Sequence, residues 1–364
     1  MKYNFNINIL DKYIIRKFIG TYFFAILLII GIVIIFDISE KIDDFVDKEA
    51  PLKEIVFNYY SNFVPYYMNM FSPMFVFISV IFFTSKLAAN SEIVAILAGG
   101  ISFKRMLYPY FLSAAVIAIF SLLLNMFVIP QANKGRLAFE DKYIKKKHAN
   151  IGRDLHYQIS PGTFMYIESF SSWNNTAYKF TLESIENNNI TSKLSAETAV
   201  WDSTKSCWRL NNYHLRKYTG NSESLVTGRS MDTTIAVTIE DFYRKKNIVE
   251  QLNYPKLNEL IETQQMRGDQ MVKYALIEKH TRFALPFSAF ILTLIGVSLS
   301  SQKRRGGIGM NIGIGIALSF SYILFLRFSQ MFVHTGALSP GIALWIPNIL
   351  YAIIAVFLYR IAPK

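Results

Sequence analysis

The sequence predicts an α-helical polytopic membrane protein, with six transmembrane helices and an all-β, jelly-roll-like domain inserted between the third and the fourth. Three observations predict it. Of the 364 residues, 52% are hydrophobic and only 18% charged, against about 25% charged in an ordinary soluble domain. The apolar surplus falls into blocks near the two ends, and the polar middle alternates with period two, as strands do. Cys207 is the single cysteine, which excludes a disulfide scaffold, and no CxxC or Cys/His spacing suits a metal.

The spans follow from length. Crossing about 30 Å of hydrocarbon takes roughly 20 mostly apolar residues at about 1.5 Å each. Phe18–Phe36, Phe63–Thr84, Met106–Ile129, Phe283–Ser300, Ile308–Phe332 and Gly341–Ile361 meet that requirement. The first is too long for the apolar core of a signal peptide and has no small-x-small cleavage site, so it reads as an anchor. Pro65 and Pro73 in the second read as kinks.

Orientation follows from Lys and Arg in the short loops. With both termini cytoplasmic, the inside segments hold twelve basic residues against Asp11 and Glu92, whereas the first outside loop holds seven acids against three lysines. The middle block lies outside, its mixed charge being no obstacle, since long loops translocate largely regardless of charge. The formal charge of +12 is thus mostly an inner face that meets anionic lipid. Basic residues split among several short loops make a poor nucleic-acid surface.

In the outside block the alternating runs are Phe164–Ile167, Lys179–Glu183, Lys193–Val200, Cys207–Tyr218 and Ser230–Ile239. Turn-rich pieces such as Ser160-Pro161-Gly162, Asn187-Asn188-Asn189 and Thr219-Gly220-Asn221 separate them. The flanks are helical: Gln131–Lys147 continues the third span, and Pro255–Arg282 leads into the fourth. The expected domains are residues 1–130 (three spans and an inner-face helix at about 90–100), 131–254 (the β-domain with its helical lead-in) and 255–364 (a connecting helix and three spans).

Chemistry has no candidate constellation. There is no GxxxxGK[ST] phosphate loop, no HExxH and no Gly-x-Ser-x-Gly elbow, and the five histidines are scattered. The run Gly306–Gly315 opens a membrane helix instead of following a strand, so Gly309-xxx-Gly313 reads as helix packing. Asp43-Asp44 and Glu240-Asp241 are neighbours in exposed acidic stretches. The chain reads as a non-enzyme that binds no cofactor.

Two features remain. In Asn90–Gly100, Asn90 or Ser91 is suited to cap a short helix, Glu92 supplies its N-terminal charge and Gly99-Gly100 ends it. Ile93, Ile96 and Leu97 form its apolar stripe. Such a helix either rests on the bilayer or docks a cytoplasmic partner, and the residues alone leave both open. Arg327, in the outer part of the fifth span, either marks a pathway or snorkels to the headgroups.

The order of these parts resembles the LptF/LptG permease family of lipopolysaccharide export, over nearly the whole chain. The matching pieces are Leu10-Asp11-Lys12-Tyr13-Ile14, Asn90–Ser102, Val128-Ile129-Pro130-Gln131, Phe164-Met165-Tyr166-Ile167 and Cys207-Trp208-Arg209-Leu210. The opening motif leans to the LptG side. The resemblance implies one half of a heterodimer with a paralogous permease in the bacterial inner membrane, its β-domain in the periplasm. It implies a cytoplasmic ATPase of the LptB type, which uses the ATP, and jelly-roll bridge proteins of the LptC/LptA type toward the outer membrane. It further implies that lipopolysaccharide enters through gates formed by the first and fifth spans and passes into the β-domain.

By the same resemblance Glu92 falls where the family's coupling helix contacts the ATPase, with Ser91, Ile93, Ile96 and Leu97 around it. Some relatives carry a basic residue near the outer end of the first span, where this chain has Ile34, Ile35 and Asp37, so contacts there are not carried over. An anionic lipid head calls for cations at the outer face, for which Arg327, Lys134 and Arg136 are candidates. Acyl chains call for an apolar trough, for which Phe164, Tyr166, Phe180 and Leu182 are candidates, although sandwich core explains these four equally well. The alternative function is a membrane-anchored scaffold, or a force-relaying permease, whose outer domain binds a protein and moves no lipid.

Overall fold

The computed structural model describes residues 8–144, 154–171, 173–186, 189–219, 222–235, 237, 246–266, 268–269, 271–302 and 307–362. The expected loop basics Lys303–Arg305, the termini Lys2 and Lys364, Lys145–Lys147 and the pair Glu240-Asp241 lie outside the described residues. So do parts of two expected turns, Asn187-Asn188 and Gly220-Asn221. The chain divides into two compact units: Met1–Ile144 with Glu250–Tyr254 and Leu276–Lys364, and Lys145–Val249 with Pro255–Ala275.

The first unit is helical. Its elements are α1 (Ile9–Asp47), α2 (Leu52–Glu54), α3 (Ser61–Met70), α4 (Ser72–Ala89), α5 (Glu92–Ala98), α6 (Phe103–Leu123) and α7 (Ile129–Tyr143). After α8 (Tyr254–Met266), most of which belongs to the second unit, come α9 (Val272–Ser300), α10 (Gly307–His334) and α11 (Pro340–Ile361). Six helical stretches among the described residues are long and apolar enough to span a bilayer, and they contain the six expected blocks or most of each.

The helices outrun the hydrophobic blocks because polar residues continue the backbone ladder outside lipid. In α1 the buried residues Ile14, Phe18, Tyr22, Ile26 and Ile30 step by four along one face. Phe23, Phe24, Leu27 and Leu28 remain exposed on the others. The expected continuous second span is corrected to two helices: they meet at Phe71, which leaves helical geometry at φ −92° and ψ 2°, and Pro73 lies in the first turn of α4, where its missing N–H costs little. Pro255–Arg282 also divides, at Gly268, whose φ is +64°.

Buried hydroxyls and amides cross-link the bundle: Tyr22 with Ser72 (2.9 Å), Thr84 with Tyr110 (3.0 Å), and Asn69 with both Asn125 (3.0 Å) and Ser121 (2.6 Å). Gly309 and Gly313, expected to pack, have nothing within 4 Å of where a Cβ would stand. The close approach is made by Gly315, where a Cβ would stand 2.5 Å from Ile81 Cδ1.

The second unit holds strands β1 (Leu155–Ser160), β2 (Thr163–Ile167), β3 (Ser169–Ser171), β4 (Thr176–Glu186), β5 (Asn189–Asp202), β6 (Cys207–Thr219) and β7 (Ser222–Thr233). They form one antiparallel sheet in the order β1-β2-β4-β5-β6-β7, with β3 also on β4. The expected run Ser230–Ile239 begins only in the last residues of β7. Gly162 turns β1 into β2 at φ +78°, and a Cβ there would stand 2.6 Å from the Ile185 carbonyl oxygen.

The core of this unit is Met165, Ile167, Phe170, Phe180, Leu194 and Trp208 with smaller neighbours. Trp208 donates its indole N–H to the Val237 carbonyl at 2.8 Å. Core positions step by three, not two, at one place in each central strand: Ala177 to Phe180, Ala196 to Ala199, Leu210 to Tyr213. The steps share a row, with Lys179 (φ +50°) in β4 and Asn212 (φ +51°) in β6. A left-handed residue inside a strand reverses which face its neighbours point to.

Candidate functional site

Between α4 and α6, α5 is seven residues long and apolar on nearly every side (EIVAILA). Ser91 does not cap it: its φ is +62° and its hydroxyl accepts no backbone N–H. Asn90 turns its amide to Glu92 Oε1 at 3.2 Å instead. The C-terminus ends as expected, with Gly99 N–H on the Ala95 carbonyl (2.9 Å) and Gly100 at φ +84°.

The stripe Ile93, Ile96 and Leu97 faces the bundle: Ile93 is 1% exposed, and the other two pack on the same cluster. Ile93 is thereby closed to an outside partner, while Ile96 and Leu97 are only partly covered, as befits a half-buried helix. The open face is Val94, which is 63% exposed, with Ala95 and Ala98. No periodicity separates the two faces when both are apolar.

Glu92 also accepts from the Tyr13 hydroxyl at 3.1 Å. Beside it, Asp11 is buried and takes a two-pronged bond from Arg105, NH1 to Oδ1 at 2.8 Å and NH2 to Oδ2 at 2.6 Å. Sequence reasoning missed this pair because its members stand 94 residues apart. The one available signal was a cation in the first turn of α6, against the helix dipole.

In α7, Lys134 is exposed, whereas Arg136 is 5% exposed and occupied. Its guanidinium meets Glu140 (3.4 Å), Glu250 (3.3 Å) and Asn133 Oδ1 (3.2 Å), and lies 4.3 Å over the Tyr66 ring. An incoming phosphate would have to displace two carboxylates there. Burial pushes the Glu250 carboxyl up to about 6, with the negative charge of Glu278 adding to the effect and Arg136 opposing it. Arg327 is exposed and meets uncharged partners, Gln330 Oε1 and Met70 Sδ, each at 3.3 Å.

In the β unit, Phe180 is core and Leu182 packs against it. Phe164 and Tyr166 are corrected: they point to the other face, and Met165 and Ile167 take the inner positions. Phe164 is 41% exposed, and Tyr166 donates to Asp154 at 2.8 Å, with the His156 ring tilted against it at 4.7 Å between centroids. These two rings, Gln158, Thr181, Glu183 and Lys193 line an open groove. Among the described residues no His, Cys, Asp and Glu side chains gather as a metal-holding group.

With this geometry in place, comparison with known proteins adds one finding. The family model described as "Lipopolysaccharide export system permease LptF/LptG" matches residues 12–361. No curated protein matches the chain.

Proposed function

Because the chain belongs to the LptF/LptG family of lipopolysaccharide export permeases, we propose that it is one transmembrane half of an ABC transporter that lifts lipopolysaccharide out of the inner membrane and delivers it to its own periplasmic β-domain. The observation that carries this reading is the family match itself, which runs through both the spanning helices and the β unit. In this family ATP hydrolysis belongs to a separate subunit, so the chain needs a surface to receive its work. α5 supplies one: a short helix on the inner face, with Glu92 at its start and Val94, Ala95 and Ala98 open.

Helices α1 and α10 support the gate reading, because they bury the smallest shares of the six spanning stretches. Their apolar outer faces suit a paralogous permease on one side and acyl chains on the other. Arg327 stands exposed toward the outer end of α10, without a carboxylate partner among the described residues, and Lys134 is open at the start of α7. Both suit phosphates of the lipid head. A β-domain of jelly-roll type, receiving the acyl chains and passing them to LptC/LptA-type bridge proteins, completes the reading.

The test is native purification of the complex with identification of every bound protein and lipid. An ATPase, a paralogous permease and lipopolysaccharide are expected together. Glu92→Ala and Val94→Asp should each lower ATPase recovery several-fold while the permease pair stays intact. A complex that holds a periplasmic protein but neither ATPase nor lipid would replace this reading with the scaffold.

A further inference from the structure

The first turn of α1 is fastened at two points to the inner loop that carries α5. Tyr13 donates its hydroxyl to Glu92 Oε2 at the start of α5 (3.1 Å). Asp11 holds Arg105, in the first turn of α6, through two parallel bonds of 2.8 and 2.6 Å. The geometry of Asp11 is fully used: Oδ2 also accepts the Asn8 backbone N–H at 2.9 Å, and the side chain is sealed from solvent. Ser102 Oγ accepts the Arg105 backbone N–H at 3.3 Å, so the arginine is fixed at its root as well as its tip. Ile93 of α5 and Ile14 and Phe18 of α1 belong to one buried cluster.

Stability alone is a weak reason for this arrangement. A buried ion pair roughly offsets its own desolvation, and a cation in the first turn of a helix opposes the dipole. What a two-pronged Arg–carboxylate bond does supply is a fixed mutual geometry. Here it fixes α1 to the Arg105 end of the 90–105 loop, while Tyr13–Glu92 fastens the other end.

We propose that Asp11, Tyr13 and Arg105 are positioning residues that make α1 move with α5, so that a displacement imposed on the inner-face helix reaches the first span. This rests on the permease reading. Tyr13 adds a conditional element, because its hydroxyl shares the Glu92 carboxylate with whatever docks there. A partner that takes Glu92 frees Tyr13, while Asp11–Arg105 keeps the connection.

The experiment compares natively purified complexes in proteoliposomes, reading ATP hydrolysis and lipopolysaccharide extraction separately. Asp11→Asn and Arg105→Gln should still assemble and hydrolyse ATP, but extract about fivefold less lipid, or worse, per ATP. Arg105→Lys, which keeps a charge on Asp11, should recover part of the ratio. An unchanged ratio in both neutral variants overturns the proposal, and so does a parallel loss of hydrolysis and extraction, which marks a purely structural pair. Should a neutral variant fail to assemble, the swap Asp11→Arg with Arg105→Asp decides: restored extraction per ATP supports the proposal, and assembly with idle hydrolysis overturns it. A wild-type complex that extracts no lipid would instead overturn the permease reading, before any variant is compared.

Discussion

Glu250 carries a charge that its surroundings disfavour, and the sign of the consequence can be worked out. Its side chain is 23% exposed, and burial raises its carboxyl to about 6 from an ordinary 4.5. The fold therefore binds the proton better than the unfolded chain does. The stabilisation is fully present below about pH 4.5 and is lost as pH rises through about 6. The full effect corresponds to about 2 kcal/mol. Glu250→Gln, which keeps the shape and removes the charge, should raise the melting temperature at pH 8 and leave it unchanged at pH 4.5. Melting curves of the detergent-solubilised protein at the two pH values check this. A lower melting temperature for the variant at pH 8 would mean that the ion pair with Arg136 outweighs burial.

At the scale of elements, the strands show where alternation stops being a guide. All the central strands were legible as strands, because hydrophobic and polar residues alternate between turn signals. Which face is inner was not, because one left-handed residue within a strand exchanges the faces on either side of it. Lys179 and Asn212 do this in β4 and β6, and no side-chain pattern marks a lysine for φ +50°. Phe164 and Tyr166 fell on the unexpected side for another reason: β2 holds no left-handed residue, and Phe164-Met165-Tyr166-Ile167 is apolar or aromatic throughout, so nothing in it marks the inner face. The same ambiguity hid the inward face of α5, while the six spans were plain because lipid demands length and apolarity together. Strand propensity makes valine the better residue at position 179. The backbone reverses that order, since a β-branched side chain at positive φ is strained. Lys179→Val should therefore destabilise the β unit, by a fraction of the roughly 1–2 kcal/mol that left-handed geometry already costs an L-residue. Urea unfolding of the full-length protein followed by tryptophan emission reports on that unit, where Trp173, Trp201 and Trp208 lie. A stabilised variant would mean that position 179 is relaxed to ordinary strand geometry at no cost.

For the whole molecule, the asymmetry of charge between the two sides decides which way the chain threads. The short loops at one end of the helices are rich in Lys and Arg, and the loop after α1 is acidic. Insertion retains the basic side in the cytoplasm. Helices α4 and α9 bury most of their apolar windows, while α1, α10 and α11 leave theirs largely open. Such open apolar faces are tolerable only against lipid or another spanning subunit, so the threading cannot be replaced by a soluble arrangement of the same helices. The proposed threading puts two exposed positions on opposite sides of the membrane, Val94 on α5 and Trp173 in the turn before β4. The native Cys207 is buried, which leaves introduced cysteines as the reactive ones. In cells with a permeabilised outer membrane, Trp173→Cys should react with a membrane-impermeant maleimide. Val94→Cys should stay unmodified until the inner membrane is broken. The reverse pattern would put α5 outside, where no cytoplasmic ATPase can reach it, and would overturn the proposed route from hydrolysis to the first span.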